Sequence, residues 1–262
     1  MKNILIIGSG KSGIGACKLA IYKKYNVRLT DCRKIDNKIK EFLSSVNVSY
    51  EENKHSKSNL EWADEIIISP GVSNDAEFVQ SAKKIGIPIY SEIEFAFRFT
   101  NKPVIAITGT NGKTTTSSLL FYTLKNAKLN PRLCGNVGVS FSEVLVTDPG
   151  DLYVLEVSSF QLEHISKFKP KIAVLLNLSP DHLDRYGFNK ENYFDTKMRI
   201  QLNQDNLDSF IYLNDDSNII CRLNNLNQQK LFPFENIKTK KHTSAWIDNN
   251  QLIIKNNKNL FT

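Results

Sequence analysis

Short apolar runs that end in glycine-rich or acidic turns recur along the chain, with helically spaced apolar positions between them. Asn3–Ile7 is the first run, closed by Gly8-Ser9-Gly10-Lys11-Ser12-Gly13-Ile14-Gly15. A helical stretch carrying Cys17, Leu19, Ala20 and Tyr22 follows, then a strand from Val27 to Thr30 that stops at Asp31. Further strands are predicted at Glu65–Ser69 and Ile87–Tyr90, with amphipathic helices between them. A second series starts at Val104–Ile107 and runs into Thr108-Gly109-Thr110-Asn111-Gly112-Lys113-Thr114-Thr115. The helix after that turn places Leu119, Leu120, Leu124 and Ala127 on one face. Leu152–Leu155 runs into Glu156, Ile172–Leu176 runs into Asn177, and a helix is expected over Glu191–Leu202. Near-continuous apolar strands suit parallel sheets covered on both faces. The expectation is an α/β protein: a Rossmann-like parallel-sheet N-terminal domain, residues 1–95, then a P-loop-type α/β central domain, residues 96–262. The boundary falls near residues 91–103.

Composition narrows the class. A 262-residue chain that is 41% hydrophobic can bury a core and divides readily into two domains. It has no run of 18 apolar residues, so no membrane span or membrane partner is expected. Cys17, Cys32, Cys134 and Cys221 lack C-x-x-C spacing, which suits reduced thiols in a cytoplasmic protein and argues against a zinc site or disulfide framework. The net charge of +7 raises nucleic acid as a partner, but Lys and Arg are dispersed and no basic run is interleaved with aromatics. A surface that attracts anionic nucleotides accounts for the same charge. A monomer that binds no nucleic acid is expected.

Both glycine turns are anion sites by construction, because a strand, a glycine turn and a helix N-terminus aim backbone N–H groups and the positive end of the helix dipole at one point. In the later turn, Gly109, Thr110, Asn111, Gly112, Lys113, Thr114 and Thr115 would cradle ATP, Lys113 reaching the β- and γ-phosphates and Thr114 ligating Mg²⁺. The pattern departs from G-x-x-x-x-G-K-[ST], since Ile107 occupies its first glycine position. Strand ends in parallel sheets form the site, which brings Glu156 and the Asp181-His182 loop toward the turn, Glu156 as a Mg²⁺ ligand. Gly8–Gly15 with Asp31 reads, taken alone, as a dinucleotide fingerprint, which leaves an NAD-linked oxidoreductase as one alternative and a non-catalytic nucleotide-binding module as another. Ser69-Pro70-Gly71 lies just past a strand end, Asn136 in a polar turn, and Lys197 within an apolar helix face.

Together, TGTNGKTT, GNVG, LEVSSFQLE, PDHLDRYG and the lysine of YFDTKMRI stand in the order and spacing of the Mur ligases, which the chain resembles over nearly its whole length. The resemblance is strongest to the members that add D-glutamate, with a member that adds another amino acid as the alternative. It implies ATP-dependent amide formation in peptidoglycan precursor synthesis, with UDP-N-acetylmuramoyl-L-alanine and D-glutamate as substrates and an acyl phosphate between them. It implies that the first domain binds the UDP sugar. Ser9, Gly10, Lys11 and Ser12 would then face the diphosphate, Asp31, Cys32 and Arg33 the uracil, and Ser69, Pro70 and Gly71 the same cleft. The family usually has Thr where Cys32 stands. Asn136, Ser158 and His182 would approach the muramoyl-alanine end. Two Mg²⁺ sites are implied, with Thr114, Glu156, His182 and Lys197 contributing, the last after carbamylation. Lys113, Asn136, Glu156, His182 and Lys197 form the expected catalytic set. The family also carries a third, C-terminal domain, which is not expected within residues 1–262; the central domain is expected to run to Thr262, just past a hairpin near Asn249-Asn250, so this polypeptide alone is expected to lack turnover.

Overall fold

The computed structural model describes residues 1–223, 229–237, 243–248, 251–256 and 259–261. The chain forms two compact units: Met1–Lys102 with Arg132–Asp151 and Phe160–Phe168, and Pro103–Pro131 with Leu152–Ser159 and Lys169–Thr262.

The first unit holds β1 (Asn3–Ile7), α1 (Lys11–Tyr22), β2 (Asn26–Asp31), α2 (Asn37–Ser45), β3 (Ser49–Glu52), α3 (Lys57–Trp62), β4 (Glu65–Ile68), α4 (Glu77–Lys84), β5 (Ile89–Ser91) and α5 (Glu92–Phe97). Its sheet is parallel throughout, in the order β3-β2-β1-β4-β5. The order reverses between β1 and β4, and such a switch point leaves a crevice beyond the strand ends. Ile4, Leu5, Ile6 and Ile7 are all buried, as a central strand covered on both faces requires. On α1, Ala16, Cys17, Leu19 and Ala20 are buried in turn. The edge strand β3, Ser-Tyr-Glu-Glu, lacks an apolar run and is not expected from the sequence; pairing with β2 from Arg28↔Ser49 to Asp31↔Glu52 places it.

Also in this unit are α7 (Phe141–Thr147) and most of β7 (Pro131–Gly135). There, Glu92 at the start of α5 is fully buried. Its carboxylate accepts the Ser142 N–H at 2.5 Å, while Oε2 has no hydrogen-bond partner among the described residues. Burial, opposed by the Ser142 contact, raises its pKa from 4.5 to about 7. The folded protein therefore holds this proton more tightly than the unfolded chain, so the contribution of Glu92 to stability is present below pH 4.5 and lost as pH rises to about 7. Glu92→Gln is expected to remove that slope and to stabilise the protein at pH 8 by on the order of 2 kcal/mol, read from urea unfolding at pH 5 and pH 8.

The second unit holds β6 (Val104–Thr108), α6 (Lys113–Asn126), β8 (Leu152–Glu156), the β9 strand (Ile172–Leu175), α9 (Lys190–Met198), β10 (Ser209–Leu213), α10 (Ser217–Ile220), β11 (Lys230–Ile237), β12 (Ala245–Asp248), β13 (Gln251–Asn256) and β14 (Asn259–Phe261); the short α8 (Ser159–Leu162) follows β8. Its strands run β14-β13-β12-β11-β10-β9-β6-β8. In this order β6 lies between β8 and β9, with Ile107 opposite Glu156 and Thr108 opposite Leu175. The apolar face expected on α6 is not its buried face: Leu119 is 67% exposed and Ser117 is the buried residue. The helix packs on β6 and β8, and a small polar side chain, Ser117, is the residue it buries. The helix expected over Glu191–Leu202 ends at Met198 and tightens into a 3₁₀ turn, Arg199–Gln201. The strands β12 and β13 pair antiparallel to Asp248↔Gln251, and the hairpin residues Asn249-Asn250 lie outside the described residues. Among the described residues no helix is long and apolar enough to cross a membrane.

Candidate functional site

In the first unit a cavity of about 610 Å³ opens at the switch point. That size is ordinary for a small-molecule site. Gly10, Lys11 and Ser12 line it from the start of α1, and Asp31, Cys32 and Arg33 from the end of β2. Beyond β4, Ser69, Pro70 and Gly71 complete it. Ser9 does not line the cavity, because its N–H and hydroxyl both donate to Asp31 Oδ2, at 2.8 and 2.7 Å. The other Asp31 oxygen accepts the Arg33 N–H at 2.9 Å. Burial alone would raise the Asp31 pKa, but the Ser9 and Arg33 hydrogen bonds and the Arg33 charge outweigh it and hold the carboxyl below its usual range.

The glycines of the turn divide by role. At Gly13, an added Cβ would fall 1.9 Å from the Gly8 carbonyl oxygen, so helix and turn are in backbone contact there. Around Gly10 the same atom meets nothing within 4 Å. No packing within the protein demands a glycine at that position.

In the second unit the turn between β6 and α6 is pinned from the loop after β9. Asn111 N–H donates to Asn177 Oδ1 at 2.9 Å, and Asn177 Nδ2 returns a bond to the Asn111 carbonyl at 3.1 Å. Thr110 Oγ1 donates to the Ser179 carbonyl at 2.9 Å and accepts its N–H at 3.0 Å. Gly109 has φ +152° and Gly112 φ +84°, and a Cβ at Gly109 would press Leu176 Cβ at 3.0 Å. Lys113 is the first residue of the 14-residue α6, and its Nζ donates to the Gly109 and Thr110 carbonyls at 3.0 and 2.8 Å. Thr114 Oγ1 donates to Glu156 Oε2 at 2.8 Å, where Glu156 is buried at the end of β8. This pair offers only oxygen donors beside an anion cradle, the donor set that Mg²⁺ takes together with nucleotide phosphates.

Lys197 is 2% exposed, and its Nζ donates to the Gly109 carbonyl at 2.8 Å. The same ammonium sits 4.9 Å from the Tyr193 ring centre. Burial first, then the Lys113 charge, lower its pKa to about 7, against upward pulls from Asp181 and Glu156. Lys113, Thr114, Glu156 and Lys197 are thus brought together around one turn. His182 is about half-exposed, in left-handed backbone at φ +48°, with Nε2 3.5 Å from Asp181 Oδ2. Ser158 lies two residues past β8 in the second unit, Thr115 is exposed on the first turn of α6, and Asn136 is exposed in the first unit, in a turn closed by Gly135 N–H on the Val139 carbonyl. Sequence reasoning missed Asn177, whose clasp resembles an ordinary strand-end asparagine, and Asp181 as the carboxylate acting on Lys197. In the first unit it missed His55, Lys57 and Phe78, all lining the cavity. A histidine beside an unrecognised edge strand carries no periodic signal.

A switch-point cavity with a glycine turn, and a lysine-bearing turn with a hydroxyl–carboxylate pair, mark a P-loop-type α/β protein with two candidate nucleotide sites. Residues 107–259 match the Mur ligase middle domain, and residues 2–91 match the Mur ligase MurD-like N-terminal domain. The chain belongs to the Mur ligase family. It is 44% identical over 263 residues to UDP-N-acetylmuramoylalanine–D-glutamate ligase of Christiangramia forsetii, covering 100% of this chain and 59% of that protein. The protein of the same name from Porphyromonas gingivalis strain W83 is 42% identical over 257 residues, covering 97% and 57%. The chain therefore spans rather more than half the length of these curated relatives. Among solved structures, UDP-N-acetylmuramate:L-alanyl-gamma-D-glutamyl-meso-diaminopimelate ligase from Neisseria meningitides shares the fold at a TM-score of 0.59 and 21% identity, covering 92% of this chain and 82% of that one. The UDP-N-acetylmuramate-alanine ligase of Thermotoga maritima does so at 0.52 and 20%, covering 94% and 54%.

Proposed function

We propose that this chain provides the nucleotide-sugar-binding and ATP-binding parts of a cytoplasmic ligase that joins D-glutamate to UDP-N-acetylmuramoyl-L-alanine, with residues 1–95 serving the sugar nucleotide and residues 96–262 serving ATP. The observation that carries the reading is the convergence of Lys113, Thr114, Glu156 and Lys197 on the Gly109–Gly112 turn. The named relatives support the choice of D-glutamate.

Magnesium-bound ATP would supply the phosphoryl group that turns the alanine carboxylate into an acyl phosphate, which the D-glutamate amine then attacks. For this chain the work is positioning and charge neutralisation rather than nucleophilic catalysis. Lys113 releases the Gly109 and Thr110 carbonyls to meet the β- and γ-phosphates. The first turn of α6 presents its N–H groups to the same anion. Thr114 and Glu156 would hold the magnesium ion, which would neutralise charge on the phosphates. His182 would receive the incoming carboxylate and a second metal ion, and Asn136 and Ser158 would approach the muramoyl-alanine end.

Lys197 reads as a carbamylation site. An ordinary lysine is neutral in about one molecule in two or three thousand at pH 7. A pKa of about 7 makes roughly half of Lys197 neutral at that pH. The neutral amine adds to carbon dioxide, forming a nitrogen–carbon bond and releasing one proton, and the resulting carbamate is an anionic oxygen ligand. Incubation with carbon-13 bicarbonate is expected to give a carbamate carbonyl NMR resonance that Lys197→Met abolishes. A spectrum identical in the two proteins would refute the modification.

Calorimetric titration tests the whole reading. Saturable binding of UDP-N-acetylmuramoyl-L-alanine and of a non-hydrolysable ATP analogue, with none of NADH, is the expected result. Binding of NADH alone would return the first unit to the oxidoreductase class.

A further inference from the structure

The cavity of the first unit has a wall that the proposed function leaves without a task. His55 lines it just before α3, and Phe78 lines it from the first turn of α4. Their rings stack, with centres 4.8 Å apart and planes 26° apart. His55 is half-buried, and its Nδ1 lies 2.7 Å from Thr30 Oγ1. Thr30 is fully buried in β2, next to Asp31.

The hydroxyl of Thr30 has one proton and three polar neighbours. Two of them accept only: the Lys54 carbonyl at 3.1 Å and the Glu51 carboxylate at 3.5 Å. Glu51 is already committed as an anion, taking the Ser56 N–H at 2.7 Å and the Asn59 amide at 3.0 Å. The Thr30 proton therefore goes to an acceptor, and His55 Nδ1 donates its own proton to the Thr30 oxygen. That assignment follows from the network. Burial keeps the ring neutral, below its ordinary pKa, against the pull of Asp31 and Glu51. Nε2 is then a bare acceptor on a ring that is locked by stacking on one side and by Thr30 on the other.

Both carboxylate oxygens of Asp31 already accept hydrogen bonds within the protein. His55 Nε2 adds an acceptor to this cavity beside the partly committed Asp31 carboxylate. We propose that His55, braced by Phe78 and Thr30, is a specificity residue of the nucleotide pocket that accepts the imide N–H of a uracil base and disfavours cytosine, whose ring nitrogen at that position carries a lone pair. This rests on the reading of the first unit as a uridine-nucleotide site.

Three variants of the 262-residue chain, titrated with UDP and with CDP, separate base reading from scaffolding. His55→Asn places an amide where Nδ1 stands and keeps a partner for Thr30; His55→Gln places one where Nε2 stands; Phe78→Leu removes the stacking support. The unmodified chain is expected to prefer UDP. His55→Asn weakens UDP binding about tenfold, the size of one hydrogen bond, and leaves CDP within about twofold. His55→Gln keeps most of the preference, and Phe78→Leu erodes it. Equal losses for UDP and CDP in His55→Asn, or no loss, would overturn the inference and leave His55 a structural residue. Failure of the unmodified chain to bind UDP while it still binds the ATP analogue would overturn the uridine reading itself.

Discussion

Lys113→Met is expected to weaken binding of a non-hydrolysable magnesium–ATP analogue by about a hundredfold, measured by calorimetry, with little change in melting temperature. The ammonium now bonds the Gly109 and Thr110 carbonyls, both in the turn itself, so its removal costs only local contacts in the folded chain. Facing a triphosphate, each charge-assisted hydrogen bond contributes about 1.5–3 kcal/mol, and losing one or two of them gives the stated factor. The variant has a second readout. The Lys113 charge depresses the Lys197 pKa, second only to burial, so removing it raises that pKa and lowers the neutral fraction of Lys197 at pH 7. Carbamate formation should fall in the same protein. An unchanged nucleotide affinity would show that Lys113 serves the empty turn alone.

Gly13→Ala is the second large effect, and it falls on stability. The new methyl would lie 1.9 Å from the Gly8 carbonyl oxygen and 3.0 Å from both the Gly8 carbonyl carbon and Ser69 Oγ. Two of these atoms are backbone, held where β1 meets its turn, and cannot swing aside. Overpacking costs roughly 1–3 kcal/mol where side chains can yield, and this site is expected to reach or exceed the upper figure. For a unit of about 130 residues that is a fall in melting temperature of roughly 9–15 °C by scanning calorimetry. Gly10→Ala is the control. Its methyl meets nothing within 4 Å and its φ of −73° is open to any residue, so stability should hold while UDP binding falls. If both alanines melt alike, the division of roles within the glycine turn is wrong.

The phosphate turn was legible because its chemistry is local. Residues Gly109–Thr115 are contiguous, and the strand before them and the helix after them announce themselves by period. Glu156 and Lys197 were legible for a different reason, one as a charge closing an apolar strand and the other as a cation inside an apolar face. What escaped was set by distant backbone. The Asn177 clasp exists only because β9 pairs with β6, and His55 reaches its cavity because the polar strand β3 adds to the edge of β2. The inward face of α6 misled for a related reason. A leucine count expects Leu119 inside, but the site needs Thr114 against Glu156, and the helix is turned to suit.

The threading of the larger sheet has a consequence for synthesis on the ribosome. Strand β6 emerges early, yet it pairs with nothing between its own end and Leu152, and its second neighbour, β9, does not end until Leu175. Parallel pairing across such spans is slow, since chain ends must meet before any contact rewards them. A nascent chain thus carries an unclasped glycine turn and an apolar β6 through some seventy residues of elongation, a window in which chaperones and proteases compete with folding.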